Sequence, residues 1–359
     1  MKAYVLNKIG QLDYMERPLP EPKEGEVLVK VGAVGICGSD IPRIFETGTY
    51  HFPTIPGHEF SGTVVDAYDV SGRRWIGKRV GVFPLIPCGR CSSCINRQYE
   101  MCSSYDYLGS RSDGGFAEYV RVPVWNLLEL PAGVSMEAGA MLEPASVALH
   151  ALRRLELRKD DTVVIFGLGT IGCLVAQWLY ALHIEKVLAV GHRQEPGILM
   201  HKTASQDYLY RMEEEGNVRE WICEITGGQG VDIAIDCAGS PVTVANCLES
   251  VRPGGQVLLV GNPQGEMALS KESYWKILRK QLRLTGTWNS SFVHQAGDDW
   301  HEAVRHMEAK SLQPEWLITH TLDFGDLSKG LRIMRGHVEY YNKIMILENR
   351  VFGEKDVKI

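Results

Sequence analysis

The plainest chemistry in this 359-residue chain lies in four cysteines spaced Cys88-x2-Cys91-x2-Cys94-x7-Cys102. Four thiolates in one loop can surround a tetrahedral zinc ion at about 2.3 Å per bond. With every position filled by protein, no place remains for a substrate, so such a site is structural. Metal binding then supplies folding free energy to a Gly/Ser-rich lobe poor in apolar residues. Other thiol chemistries match less well. Bacterial iron–sulfur spacing has a shorter last gap and a following proline, whereas here seven residues intervene and Ser103 follows. A nucleic-acid zinc ribbon wants basic surroundings, and the loop carries only Arg90 and Arg97.

A second group is dispersed. Cys37 sits in Val-Gly-Ile-Cys37-Gly-Ser-Asp40, His58-Glu59 follows a Pro56-Gly57 turn, and Glu143 precedes Pro144. A thiolate, an imidazole and a carboxylate brought together make an open zinc site, with one position left for water or substrate. Glu143 is a candidate further ligand that exchanges with that water. Taken singly, a histidine beside a glutamate is an ordinary surface pair; the set gains weight from the company it keeps.

A third group is Gly167-x-Gly169-x-x-Gly172, with Thr170 and Ile171 inside it, after a strand at 162–166 and before an apolar segment at 171–182. Glycines in that context permit a tight turn, close approach of a pyrophosphate and tight helix–sheet packing. The next strand ends in Val190-Gly191-His192-Arg193, where an NAD site puts an acid on the ribose hydroxyls. With no carboxylate there, Arg193, helped by His192, could bind a 2′-phosphate, which favours NADP over NAD. The alternative is a solvated Arg193 and loose specificity. Residues 235–239 and Val260-Gly261 end later strands, where such a sheet receives its ligand.

These groups need elements to hold them. The length exceeds what one core usually fills, and 45% hydrophobic with 23% charged residues is ordinary for a globular protein, so two domains are expected. Up to residue 122, short β-prone runs such as 26–31, 60–65 and 116–120 are broken by glycine and proline, which predicts an all-β barrel lobe. Helical periodicity appears at 135–155. Strands at 162–166, 186–190, 231–236 and 256–260 then alternate with helices, which predicts a parallel sheet. A helix near 298–309 and a last strand near 343–347 return the chain to the first lobe. The formal charge of −6 argues against a nucleic-acid footprint. No run approaches about 18 apolar residues, and the expectation is a soluble cytoplasmic protein with reduced thiols. Cys173, Cys223, Cys237 and Cys247 lack metal spacing and read as small core or helix residues.

Together the Gly57-His58-Glu59 and Cys37-Gly-Ser-Asp40 segments, the four-cysteine loop and Gly167 to Gly172 resemble the zinc-dependent medium-chain dehydrogenase/reductase superfamily. Within it, residues 37–45, 57–62, 109–119 and 276–280 are similar to the galactitol-1-phosphate 5-dehydrogenase branch, near sorbitol dehydrogenase. The resemblance implies an α/β fold: a GroES-like β-barrel catalytic domain from both chain ends, 1–152 and 288–359, around an inserted Rossmann domain, 153–287. It implies two zinc ions per chain. Cys37, His58 and Glu59 or Glu143 would hold the catalytic ion, and Cys88, Cys91, Cys94 and Cys102 the structural one. Hydride would pass between a nicotinamide coenzyme and a secondary hydroxyl or ketone of a polyol or polyol phosphate, and Ser39 would take the alcohol proton. Relatives are dimers or tetramers joined at a Rossmann sheet edge, for which a strand near 283–286 would serve.

Departures from the pattern matter. Many relatives place a histidine three residues after the relay hydroxyl; here it is Pro42, so proton exit runs through water or Glu143. Pro196-Gly197 and Ala204 to Asp207 replace the usual helix ending in Gly-Ala-Asp. Asp40 either orients His58 or caps its turn. For substrate, Tyr50, Arg111 and Asn289 are candidates, with Arg111 an anchor for a sugar phosphate. Rival functions are a zinc-stabilised scaffold without catalysis, a dehydrogenase of simple secondary alcohols, and a zinc-independent enone or quinone reductase.

Overall fold

The computed structural model describes residues 1–194, 208–263 and 265–348, so Pro196-Gly197 and Ala204 to Asp207 lie outside the described residues. The chain opens with an antiparallel pair, β1 (Lys2–Lys8) and β2 (Gln11–Glu16). It continues through β3 (Glu26–Ile36), β4 (Glu59–Ala67), β5 (Arg79–Val82), the short pair β6 (Leu85–Ile86) and β7 (Asp106–Tyr107), β8 (Tyr119–Pro123) and β9 (Leu127–Glu129). Next come β10 (Thr162–Phe166), β11 (Lys186–Gly191), β12 (Tyr208–Met212), β13 (Val231–Asp236), β14 (Val251–Leu259) and β15 (Arg283–Gly286). The last strands are β16 (Ile318–Asp323) and β17 (Lys343–Leu347).

One sheet runs β16-β17-β3-β4-β5-β9, with β8 also paired to β3. Its strands are rich in valine and isoleucine, which suit a pleated, half-buried surface. Val27, Val29, Val31, Phe60, Val64, Val80, Val120, Ile344 and Ile346 join in its core. The strand expected at 26–31 runs on to Ile36 and so reaches Cys37. The strand expected at 116–120 begins instead at Tyr119, because Phe116 and Ala117 turn aside to β1: Tyr4 N donates to Phe116 O at 2.8 Å, and Ala3 bridges Ala117.

The other sheet is parallel throughout, in the order β12-β11-β10-β13-β14-β15. Strands such as Thr-Val-Val-Ile-Phe in β10 are apolar at nearly every position because helices cover both faces of such a sheet. The register pairs Phe166 with Val190 and with Asp236, Asp236 with Leu259, and Gly191 with Met212, so all these strands end at one edge. Strand β12 had no counterpart in the sequence reading.

By its contacts the chain divides into two compact units, one of Met1–Cys88, Ser104–Glu143 and Ile318–Ile359, the other of Gly89–Ser103 and Pro144–Leu317. Both breaks differ from those expected at 152/153 and 287/288. Trp178 Nε1 donates to Ala145 O at 2.8 Å, which fastens the helix Leu142–Leu152 to the helix Thr170–Ala181. Asp299 takes His150 Nδ1 at 2.8 Å and Arg153 Nη1 at 2.7 Å, and Trp178 stacks edge-on against His306. These contacts keep residues beyond 287 with the parallel-sheet unit up to Leu317. Among the described residues, no helix is long and apolar enough to cross a membrane.

Candidate functional site

Antiparallel pairing of β3 with β4 sets Gly35 opposite Glu59, which carries Cys37 and His58 to neighbouring places just beyond the ladder. Gly57, at φ +94°, makes the turn into β4; a Cβ there would lie 2.6 Å from the Phe116 ring. Ligating atoms of Cys37, His58 and Glu59 lie within 4.8 Å of one another, with His58 and Glu59 buried. Such a donor set suits zinc. His58 Nδ1 is buried without a hydrogen bond, 3.4 Å from Asp40 Oδ1. Ser39 Oγ donates to Cys37 Sγ at 3.3 Å. Asp40 Oδ2 accepts from Cys37 N at 3.0 Å and caps the turn, while Oδ1 faces His58 Nδ1 and accepts from Arg43 Nη1 at 3.0 Å.

Glu143 stands outside that three-residue cluster, in the first turn of the helix Leu142–Leu152. Its Oε1 accepts from Tyr107 Oη at 3.4 Å. Burial, with Glu59 nearby, pushes the Glu143 carboxyl up to about 7 against the pull of His58 and Lys343. Burial and Glu143 likewise push the Tyr107 phenol well up, so it stays a donor. For Asp40, burial works against the charge, but His58, Arg43 and the Cys37 amide outweigh it and hold the carboxyl low. Burial also opposes charge on His58, yet Asp40 and Cys37 prevail and raise the imidazole well above its ordinary range.

Lys343, which the sequence reading passed over, reaches Glu59 Oε2 with its Nζ at 2.5 Å. Burial disfavours its charge, while Glu59, Cys37 and Glu143 restore it and hold the ammonium above its usual range. A signal was available: one lysine in Lys343-Ile-Met-Ile-Leu347, a strand otherwise apolar and buried throughout.

In the same unit, the Arg111 guanidinium lies between the rings of Tyr50, at 4.0 Å, and Tyr105, at 4.4 Å. Its Nη1 donates to Tyr105 O at 3.2 Å, and its Nε is buried without a partner. Aromatic faces on both sides hold the planar fork in one orientation. Tyr105 meets Tyr107 edge-on with centroids 6.1 Å apart, and Tyr107 lies 5.9 Å from the His58 ring, so side chains in contact link Arg111 to the histidine. Asn289 belongs to the other unit, where its Nδ2 and Thr287 Oγ1 are buried without partners.

In the parallel sheet, Gly167 turns at φ +91° and Gly169 caps the helix Thr170–Ala181, whose first residues are Thr170 and Ile171. A Cβ on Gly172 would lie 2.0 Å from Gly167 O, while one on Gly169 would meet nothing within 4 Å. That is a closed turn with an open approach to a helix N-terminus, where a pyrophosphate is favoured. Val260 N and Gly261 N donate to Asp236 O at 2.9 and 3.0 Å, which anchors the end of β14 beside β13. Gly191 ends β11. Beyond it the exposed His192 has Nδ1 3.2 Å from Glu213 Oε2, and Arg193 O accepts from Tyr210 Oη. Glu213 was missed because it arrives from β12.

Cys88, Cys91, Cys94 and Cys102 hold their sulfurs within 4.8 Å of one another. The Cys91 sulfur lies 3.5 Å from that of Cys94 and 3.8 Å from that of Cys102, and all nine cysteines are free thiols. Backbone amides of Cys94 and Ser103 hold the Cys91 thiol down at about 5, as a metal-binding thiolate requires. Of the remaining cysteines, Cys173 and Cys247 are buried, Cys237 is half-buried and Cys223 is exposed on the helix Val218–Ile225.

Comparison with known proteins adds to this geometry. Residues 23–132 match the profile of the alcohol dehydrogenase GroES-like domain, and 170–309 that of zinc-binding dehydrogenases. Galactitol 1-phosphate 5-dehydrogenase of Escherichia coli K12 is 34% identical over 92% of this chain and 96% of its own. A sorbitol dehydrogenase of Halalkalibacterium halodurans is 31% identical over 93% of this chain and 96% of its own. The crystal structure of the Escherichia coli galactitol-1-phosphate dehydrogenase superposes with a TM-score of 0.87 at 32% identity, over 97% of this chain and 100% of that one. A Sinorhizobium meliloti structure described as a zinc-binding dehydrogenase, bound to NADP, gives 0.85 at 27% identity, over 96% and 98%.

Proposed function

This chain belongs to the zinc-dependent medium-chain dehydrogenase/reductase superfamily, and we propose that within it the protein moves hydride between NADP and a secondary hydroxyl of a phosphorylated polyol. Its class is that of a zinc-dependent alcohol or polyol dehydrogenase. The observation that carries the finer reading is the cluster of half-buried Cys37 with buried His58 and Glu59, with Arg111 joined to it through Tyr105 and Tyr107.

Cys37, His58 and Glu59 would hold the catalytic zinc, with Glu143 the carboxylate that exchanges with them, and the four-thiolate loop would hold a second, structural ion. Bound there, zinc supplies Lewis acidity toward a hydroxyl oxygen, and the nicotinamide coenzyme accepts the hydride. The protein's own groups manage position and protons. Asp40 and the Gly57 turn hold His58 in place. Ser39 Oγ, which donates to Cys37 Sγ, would take the substrate proton as it turns and passes its own proton on. With Pro42 where a histidine would continue the relay, the proton leaves through water or Glu143, whose carboxyl at about 7 is poised to take it near neutral pH. Tyr107 donates to Glu143 and fixes the oxygen that does so.

Arg111 would take the phosphate: its buried, unpartnered Nε and a planar fork between two tyrosines suit a bidentate anion. Tyr50, whose ring faces the Arg111 guanidinium, would add to the substrate contacts of that unit. On the coenzyme side, Gly167, Gly169, Thr170, Ile171 and Gly172 would cradle the pyrophosphate. Val260 and Gly261 would line the edge at the end of β14. His192 is engaged by Glu213, so the NADP preference rests on Arg193. A homo-oligomer joined along β15, in the cytoplasm, completes the reading.

The test follows absorbance at 340 nm with zinc-loaded protein, offering NADP and NAD in turn against free and phosphorylated polyols. Turnover of a phosphorylated polyol with NADP, lost in kcat/KM by about 100-fold in R111A but spared for the free polyol, supports the reading. Equal use of free and phosphorylated polyols by wild type removes the phosphate from it.

A further inference from the structure

Lysine is rarely buried, and an ammonium taken out of water is strongly penalised unless opposite charge meets it. Lys343 nevertheless opens β17, whose five positions are all buried, and its side chain is 3% exposed. Its Nζ lies 2.5 Å from Glu59 Oε2 and 3.3 Å from Ile36 O. Room for the pair comes from Gly35, opposite Glu59 in the β3–β4 ladder. A Cβ on Gly35 would lie 2.5 Å from Glu59 Oε2 and 3.4 Å from Lys343 Cδ. Three strands thus converge on one carboxylate oxygen.

Burial gives this convergence a purpose. Glu59 joins Cys37 and His58 in the cluster that fits one divalent ion. A buried carboxylate keeps its place and charge only against an answering cation, and Lys343 supplies that cation at Oε2. We propose that Lys343 is a positioning residue of the metal pocket: it holds Glu59 Oε2 and leaves Oε1 as the oxygen that serves the ion. This rests on reading Cys37, His58 and Glu59 as zinc ligands. Partners one step removed from a metal commonly set its affinity by about 10- to 100-fold.

The experiment compares wild type with K343M, K343R and G35A. Far-UV circular dichroism and the thermal midpoint report folding. Competition with a chelator gives the pocket's zinc affinity, and protein with only the pocket zinc replaced by cobalt gives the visible d–d band. K343M should hold the pocket zinc about 10- to 100-fold more weakly and shift the cobalt band. K343R should recover most of both, and the four-thiolate zinc should stay in every variant. G35A keeps both charges and displaces only the carboxylate, so it should weaken zinc and move the band as well, and it carries the test if K343M fails to fold. Unchanged affinity and an unchanged band in folded K343M or G35A overturn the proposal. A wild type that binds a single zinc, retained in C37S, overturns the ligand reading and the proposal with it.

Discussion

The four-thiolate loop and the Cys37 pocket are both candidate zinc sites, and they are built in opposite ways. In the loop, four like ligands lie within fifteen residues of sequence, and backbone amides of the same loop hold Cys91 as thiolate near pH 5. In the pocket, unlike ligands from residues 37, 58 and 59 meet only because β3 and β4 pair in one register. Glu143 and Lys343 then arrive from distant segments to set the charge. A closed site of identical ligands supports folding. An open site of mixed ligands, ringed by buried charges, supports chemistry.

The sharpest way to break this contrast is a pair of serine substitutions. C37S should lower kcat/KM by roughly 1,000-fold or more, since several kcal/mol of charge stabilisation disappear, while the thermal midpoint moves little. C94S should do the reverse, losing roughly 3 kcal/mol or more of stability because metal binding there is folding energy. Calorimetry beside steady-state kinetics reads both; equal losses of both kinds in both variants would erase the distinction.

Acidification should separate the sites next. His58 is raised well above its ordinary range and Glu143 sits at about 7, so protons compete with zinc in the pocket as soon as the pH falls below neutrality. Cys91 is depressed to about 5, so that sulfur of the loop stays a thiolate until much lower pH. A chromogenic chelator should therefore take the pocket zinc at a higher pH than the loop zinc. Release of both together would contradict the assignment.

A smaller effect lies at the coenzyme edge. E213Q removes the carboxylate 3.2 Å from His192 and should raise the affinity ratio for NADP over NAD by about 3- to 10-fold, while R193A lowers it, as titration of coenzyme binding would show. No change in either variant would mean that choice of coenzyme lies elsewhere.

What was legible from sequence follows the same contrast. The cysteine spacing, the glycine run and the strands β10, β11 and β13 are local patterns, and residues adjacent in sequence carry their own evidence. Lys343, Tyr107 and Glu213 gained meaning only through partners far along the chain: Glu59 through β-pairing, Glu143 through a helix start, and His192 through the edge strand β12. The break after Leu317 escaped for the same reason, since Asp299 is held by His150 and Arg153 across some 150 positions.

The central claim, one ion for chemistry and one for the fold, is tested most directly by removing a single zinc with a mild chelator and following activity and thermal midpoint together. Activity that vanishes with the first zinc and returns on its readdition, at a nearly constant midpoint, is the predicted result. Activity that persists after the first zinc leaves, or a fold that collapses with it, would contradict the account.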